Sequence, residues 1–191
     1  MPRTTTAFAA ALALFLPIGR PLLVGLTPAA GIGAGLLTTQ AAYAQNATDL
    51  LNSGLDKAKS GNLKGAIADW TKAIEIYPKY ALAYYNRGLA REKLSDFKGA
   101  IADYTKAIEI NPNYGRAYNN RGNSKHNLKD YQGAIADYTN AIKIAPNDAD
   151  YYYNRGNSKE ELGDLKGACT DWRKAADFGD SDAAKWVRDQ C

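Results

Sequence analysis

Ala100-Ile101-Ala102-Asp103-Tyr104 returns 34 residues later as Ala134-Ile135-Ala136-Asp137-Tyr138, and is preceded at the same interval by Ala66-Ile67-Ala68-Asp69-Trp70. A fourth copy, Ala168-Cys169-Thr170-Asp171-Trp172, keeps the 34-residue step. Asn86-Arg87-Gly88, Asn120-Arg121-Gly122 and Asn154-Arg155-Gly156 follow the same interval, as do Pro78, Pro112 and Pro146. No insertion breaks the phase. A fixed period of this length marks a stacked array of supersecondary units. Asn62, Asp96, Asp130 and Asp164 stand just before the second apolar stretch of each unit, where a short oxygen-bearing side chain satisfies free helix amides. The prolines end that stretch, because proline cannot continue the helical hydrogen-bond pattern. Each unit therefore reads as helix–turn–helix.

The pattern resembles the tetratricopeptide repeat. With the frame opening at Ala47, position 4 of the units is Leu50, Tyr84, Tyr118 and Tyr152, and position 8 is Gly54, Gly88, Gly122 and Gly156. Position 20 is Ala66, Ala100, Ala134 and Ala168; position 24 is Trp70, Tyr104, Tyr138 and Trp172; position 27 is Ala73, Ala107, Ala141 and Ala175. The resemblance implies an all-α, right-handed superhelical solenoid of four repeats, 47–80 (divergent), 81–114, 115–148 and 149–182. The small residues let the two helices of a unit approach, and the aromatics at positions 4 and 24 are expected to fill the space around that contact. Position 7 departs from the family's apolar residue, with Ser53, Arg87, Arg121 and Arg155. These arginines are expected to pair with the repeated Asp69, Asp103, Asp137 and Asp171, in the same unit or in the preceding one. A ladder of arginines for an anionic ligand is the functional alternative.

An open end of a solenoid needs a polar cover. Ala183 and Trp186 continue the phase while Arg188, Asp189 and Gln190 make the outer side polar, so residues 183–191 read as a capping helix with its end. Cys169 and Cys191 flank the turn at Asp180 at equal distance, and an antiparallel hairpin sets such positions side by side. A disulfide is the expectation in an oxidising compartment, and one buried thiol with one free terminal thiol is the alternative.

The first 44 residues read as a targeting segment. Arg3 precedes the apolar runs Ala7–Ile18 and Leu22–Leu37, and Ala42-Tyr43-Ala44 before Gln45 has the small–x–small form of a signal cleavage site. Pro17, Arg20, Pro21 and Pro28 oppose a retained membrane span. Export to a periplasm or the extracellular space is expected, with an organelle lumen of thylakoid type as the alternative. Arg3 and Arg20 are the only charged residues before Asp49. Of 24 basic and 20 acidic residues, 22 and 20 remain once 1–44 are removed. So even a balance offers little field for nucleic acid.

Catalytic chemistry finds few carriers. His126 is the single histidine, Cys169 has none near it in the repeat, and the glycines form no phosphate-cradling cluster. No enzyme activity, metal or cofactor is expected. The resemblance implies instead a groove lined by the first helices, at positions 2, 5, 9 and 12. These are Thr48, Leu51, Leu55 and Ala58; Leu82, Tyr85, Leu89 and Glu92; Arg116, Asn119, Asn123 and His126; and Asp150, Tyr153, Asn157 and Glu160. Asn52, Asn86, Asn120 and Asn154 add a period at position 6. Asparagine amides both donate to and accept from a peptide backbone, and tyrosines add rigid contact area. A protein or peptide partner is expected to lie along Tyr85, Asn119, Asn123, Tyr153 and Asn157, unless the position-6 asparagines merely bond between repeats. Relatives that clamp a chaperone's terminal carboxylate use lysine, arginine and asparagine in the groove. Here Glu92, Asp150 and Glu160 would repel one. The competing expectation is an assembly factor docking through its convex face or through the apolar Leu50, Leu51, Leu55 and Ala58 of the first unit. A monomer or weak oligomer, without a membrane span once the signal is gone, completes this reading.

Overall fold

The computed structural model describes residues 31–191, with side chains from Gln45 onward. Arg3, the run Ala7–Ile18 and the prolines before residue 31 lie outside the described residues. Nine helices occur among the described residues: α1 (Gly31–Lys59), α2 (Leu63–Ile76), α3 (Ala81–Lys93), α4 (Phe97–Ile110), α5 (Gly115–Asn127), α6 (Tyr131–Ile144), α7 (Ala149–Glu161), α8 (Leu165–Asp177) and α9 (Ser181–Gln190). Each packs on the helix before and after it, and α1, α3, α5 and α7 also touch one another in succession. That is the contact pattern of an all-α solenoid, in which a unit meets only its neighbours. No described helix is long and apolar enough to cross a membrane. Helix α1 runs unbroken through Ala44 and Gln45, ahead of the frame that opens at Ala47; the chain has no proline between Pro28 and Pro78 to stop it.

The second helix of each unit starts on a side-chain cap. Asn62, Asp96, Asp130 and Asp164 accept from the amides of Gly65, Gly99, Gly133 and Gly167 at 2.9–3.0 Å. The preceding turn needs one left-handed residue, which is Gly61 or Gly163 in the outer units but Ser95 (φ 60°) and Lys129 (φ 64°) in the inner two. Position 20 and position 27 alanines are fully buried. The position 8 glycine lies against the ring at position 24: a Cβ on Gly88 would sit 2.7 Å from Tyr104, and one on Gly122 2.6 Å from Tyr138. The position 24 rings are buried, at most 2% exposed, and form the centre of each unit.

Position 4 makes a second contact. Tyr84, Tyr118 and Tyr152 are half-buried and lie beneath the guanidinium groups of Arg87, Arg121 and Arg155, 5.5–5.7 Å from ring centre to carbon. They also pack with the position 24 rings as expected, Leu50 and Tyr84 in the cluster of Trp70 and Tyr152 in that of Trp172. A residue three places before an arginine on the same helix face lies within that arginine's reach as well. The arginines hold their own unit's aspartate in a two-pronged bond: Arg121 donates from Nε and Nη2 to the two oxygens of Asp137 at 2.9 and 2.6 Å. Its Nη1 reaches back to Thr105 Oγ1 of the preceding unit at 3.0 Å. Arg87 and Arg155 repeat this on Asp103 with Thr71, and on Asp171 with Thr139. A second cation completes each site: Arg91 on Asp103, Lys125 on Asp137, Lys159 on Asp171. In the first unit, Ser53 Oγ and Lys57 Nζ take the place of arginine on Asp69, both at 2.6 Å. The ladder of arginines is structural.

The apolar residues of the first unit are also spoken for. Leu51 is buried, and Leu50, Leu55 and Ala58 pack with it around Trp70, Tyr80 and Tyr84. At the other end α9 lies on α8, with Ala183 fully buried and Trp186 stacked on Trp172 at 5.4 Å. Cys169 and Cys191 are bonded through their sulfurs, with Cα atoms 5.7 Å apart.

Candidate functional site

The inner face is built from α3, α5 and α7, and the central rings decide how its polar side chains point. Tyr138 Oη donates to Asn123 Oδ1 at 2.8 Å, and Trp172 Nε1 donates to Asn157 Oδ1 at 2.9 Å. Both asparagines sit at position 9. With the carbonyl oxygen tied to a buried ring, the amide nitrogen of each is turned toward the groove as a donor. Position 9 of the second unit is Leu89, which cannot accept, and Tyr104 Oη turns instead to Glu92 Oε2 at 2.7 Å. Burial pushes the Glu92 carboxyl above its ordinary range, offset in part by that bond.

The asparagines divide into two groups. Asn119 is buried and Asn120 and Asn154 are half-buried. Two of their bonds cross units, Asn120 Nδ2 donating to Tyr85 Oη at 3.1 Å and Asn154 Nδ2 to Asn119 Oδ1 at 3.0 Å, and within the third unit Asn119 Nδ2 donates to Asn120 Oδ1 at 3.2 Å. Asn86 is buried on the same register. Asn120 and Asn154, with Asn119, therefore stitch repeats together. A side chain at position 6 points along the stack toward the neighbouring first helix, whereas positions 9 and 12 point into the opening.

A cleft of about 230 Å³ is lined by Glu92, Asn123, His126, Asn127, Tyr138, Asn154 and Asn157. A second of about 360 Å³ adjoins it through Glu92 and Asn127, and includes Leu89, Lys93, Phe97 and Asn120. His126 is half-buried, with Nδ1 2.8 Å from Ser158 Oγ and the Tyr131 ring edge-on at 5.1 Å. Ser124, the equivalent of Ser158 one unit earlier, is fully buried with no hydrogen-bond partner among the described residues. Arg116 lies at the far edge of the same face. It is exposed and close enough to Tyr85, Tyr114 and Tyr151 to act on their phenols electrostatically. Burial pushes Tyr114 and Tyr151 up to about 12, and Arg116 counters part of that rise. Tyr85 also packs on Tyr114, ring centres 4.8 Å apart. Tyr153 is half-buried against the Trp172 cluster.

Of the expected groove residues, Leu89, Asn123, His126, Asn154 and Asn157 line the clefts, as does Asn120 on its outer side. Tyr85 and Asn119 serve mainly to join repeats. Asn127 and the hydroxyl of Tyr138 are additions to the expected lining. A signal for the latter existed: Tyr and Trp at position 24 carry a polar hydrogen that must find a partner when buried. Among the described residues no cluster of His, Cys, Asp and Glu is arranged to hold a metal ion.

A stack of capped helix pairs, closed by a covering helix and open along one polar inner face, defines a helical-repeat binding solenoid. Sequence comparison then gives the family. The tetratricopeptide repeat model matches residues 81–114 and 115–148, and a second model of the same repeat matches 54–95. The chain belongs to the tetratricopeptide repeat family. No curated protein matches it. Among solved structures it is similar to the crystal structure of MamA, at 25% identity and a TM-score of 0.69, covering 80% of this chain and 97% of that one. The first repeat domain of Spaghetti (RPAP3), bound to an HSP90 peptide, is 27% identical with a TM-score of 0.62, over 63% of this chain and 95% of its own. The repeat domain of Arabidopsis OM64 is 25% identical with a TM-score of 0.61, over 62% and 98%.

Proposed function

We propose that this protein is a non-enzymatic scaffold that binds a peptide or extended segment of a partner protein along the inner face of α3, α5 and α7. The observation that carries this reading is the fixed orientation of Asn123 and Asn157. Each has its carbonyl oxygen held by a buried ring, and its amide turned outward to donate to a peptide carbonyl. A scaffold that locks its donors before binding avoids the cost of ordering them on binding. The peptide held by the Spaghetti repeat domain is a precedent for peptide binding in this fold. An acidic chaperone tail is a poor ligand in this reading, because Glu92 lines both clefts and the repeat pattern sets Asp150 and Glu160 on the same face.

The chain is also proposed to be exported, with the signal removed after Ala44 and the α8–α9 end closed by the Cys169–Cys191 disulfide in an oxidising compartment. Mass spectrometry of the mature N-terminus checks the cleavage. For the groove, peptides selected from a random-sequence library on the full chain should bind Asn123→Ala/Asn157→Ala at least about tenfold more weakly. Lys98→Ala, on the exposed outer surface of α4, should bind them unchanged. Peptides held equally well by the double variant would remove the proposal.

A further inference from the structure

Three aspartates of this fold are almost fully buried, and each is held by two cations. Asp103 has Arg87 and Arg91, Asp137 has Arg121 and Lys125, and Asp171 has Arg155 and Lys159. Glu92 is treated differently. It lines both clefts of the inner face, half-buried, and its one bond is from the Tyr104 hydroxyl. Among the described residues no lysine, arginine or histidine lies within ion-pair distance of it; Lys93 lines the adjoining cleft without reaching it. A carboxylate taken partly out of water without a counter-charge is costly to the folded chain, and a fold that sets at least one cation on each of its four buried aspartates leaves this one open.

The amides around it complete an acceptor set. Asn127 spends its Nδ2 on the Asn123 carbonyl at 2.9 Å, and Asn154 spends its Nδ2 on Asn119 at 3.0 Å. Both line the cleft with Glu92; each engages one N–H in these bonds and still has its side-chain carbonyl oxygen to accept with. Tyr138 adds a hydroxyl oxygen. A carboxylate, two amide oxygens and a phenol in a cleft of about 230 Å³ suit a group that carries several N–H donors and one positive charge. Beside them Asn123 and Asn157 present donors suited to a backbone. One opening thus offers contacts for a main chain and an acid for a basic side chain.

We propose that the Glu92 cleft takes the ammonium or guanidinium of a lysine or arginine side chain on the bound segment. This rests on the groove reading above, and sets the polarity of the ligand opposite to that of an acidic tail. The test uses peptides selected on the full chain from a random-sequence library. The selected set should share a lysine or arginine at one position. Replacing that residue by norleucine in the peptide, or Glu92→Gln in the protein, should each weaken binding about tenfold or more, and the two changes together should cost no more than either alone. The peptide change needs no altered protein, so it reads out even if a variant folds poorly. Selected peptides without a basic residue that nonetheless lose binding to Asn157→Ala would overturn the cation site and leave the groove reading standing. Peptides insensitive to Asn157→Ala and to Glu92→Gln would overturn both.

Discussion

The pairing of Arg121 with Asp137 yields the sharpest quantitative prediction. Asp137 has a side chain only 3% exposed, and Arg121 is 16% exposed. Arg121→Ala removes two charge-assisted bonds to Asp137, a bond to Thr105 and the contact over Tyr118. Breaking a buried pair by taking one partner costs about 3–5 kcal/mol, and a partly exposed cation–π contact adds about 0.5–1. Lys125 stays on the second carboxylate oxygen at 2.8 Å and keeps part of the charge compensated. A net loss of about 2–4 kcal/mol is expected. Asp137→Ala frees two cations that can both turn toward water, so its cost should be the smaller. The decisive quantity is the coupling. Arg121 with Asp137 should couple by about 1.5–3 kcal/mol, and Arg121 with Asp103 by less than about 0.5. Urea denaturation followed by circular dichroism measures each corner of the cycle. Hydrogen exchange of α5 and α6 then places the loss in the third unit, since repeat units can unfold semi-independently. Coupling near zero with Asp137, or equal coupling with both aspartates, would refute the assignment.

The remaining predictions concern packing, backbone, redox state and pH. Gly88→Ala would stabilise an ordinary helix interior by about 1 kcal/mol, but here the added carbon sits 2.7 Å from the Tyr104 ring. It should destabilise by about 1–3 kcal/mol, and a raised urea midpoint would refute the packing. Lys129→Gly relieves a left-handed residue at φ 64° and should stabilise by about 0.5–1 kcal/mol; a lowered Tm would contradict this. Reduction of Cys169–Cys191, which spans 22 residues, should cost about 3 kcal/mol and speed amide exchange in α9 while α3–α6 stay protected. Two free thiols by intact mass in protein from an oxidising compartment would dispose of the bond. Asp69 and Glu92 are shifted in opposite directions. Burial opposes the ionised form of Asp69, but the bonds from Lys57 and Ser53 outweigh it and hold its carboxyl below the usual range. Its contribution is therefore present above the ordinary value of about 3.9 and is lost as pH falls through the lower folded one. Glu92 is raised by burial, so its ionised form weakens the fold above the raised value, and protonation relieves that as pH falls. Glu92→Gln should accordingly have a higher Tm than the native chain at neutral pH, with the gap closing toward acid. A lower Tm at neutral pH would sink that reasoning.

Much of this molecule is local and periodic, and so could be read from residue types alone. The 34-residue step, the caps at Asn62, Asp96, Asp130 and Asp164, and the glycines and alanines of the helix contact follow from propensities and sizes within one unit. The second helices of the first three units came out the same way, because each starts on such a cap and ends just before Pro78, Pro112 or Pro146. The capping helix was legible too, since Ala183 and Trp186 stay in phase.

What sequence left open depended on the rotation of one unit against the next. Whether Arg121 bonds its own aspartate or its neighbour's is a matter of reach, and the structure divides it: the carboxylate within the unit, the Thr105 hydroxyl across the joint. The asparagines form one series on paper. In three dimensions Asn119, Asn120 and Asn154 bond along the stack, while Asn123 and Asn157 point into the opening with their amides set by Tyr138 and Trp172. Glu92 looked like a simple groove acid. Only packing made it distinctive, because Leu89 cannot accept the Tyr104 hydroxyl and no cation among the described residues pairs with it. Spacing along the chain determines which elements form, and the distances between stacked units decide which of their polar groups remain for a partner.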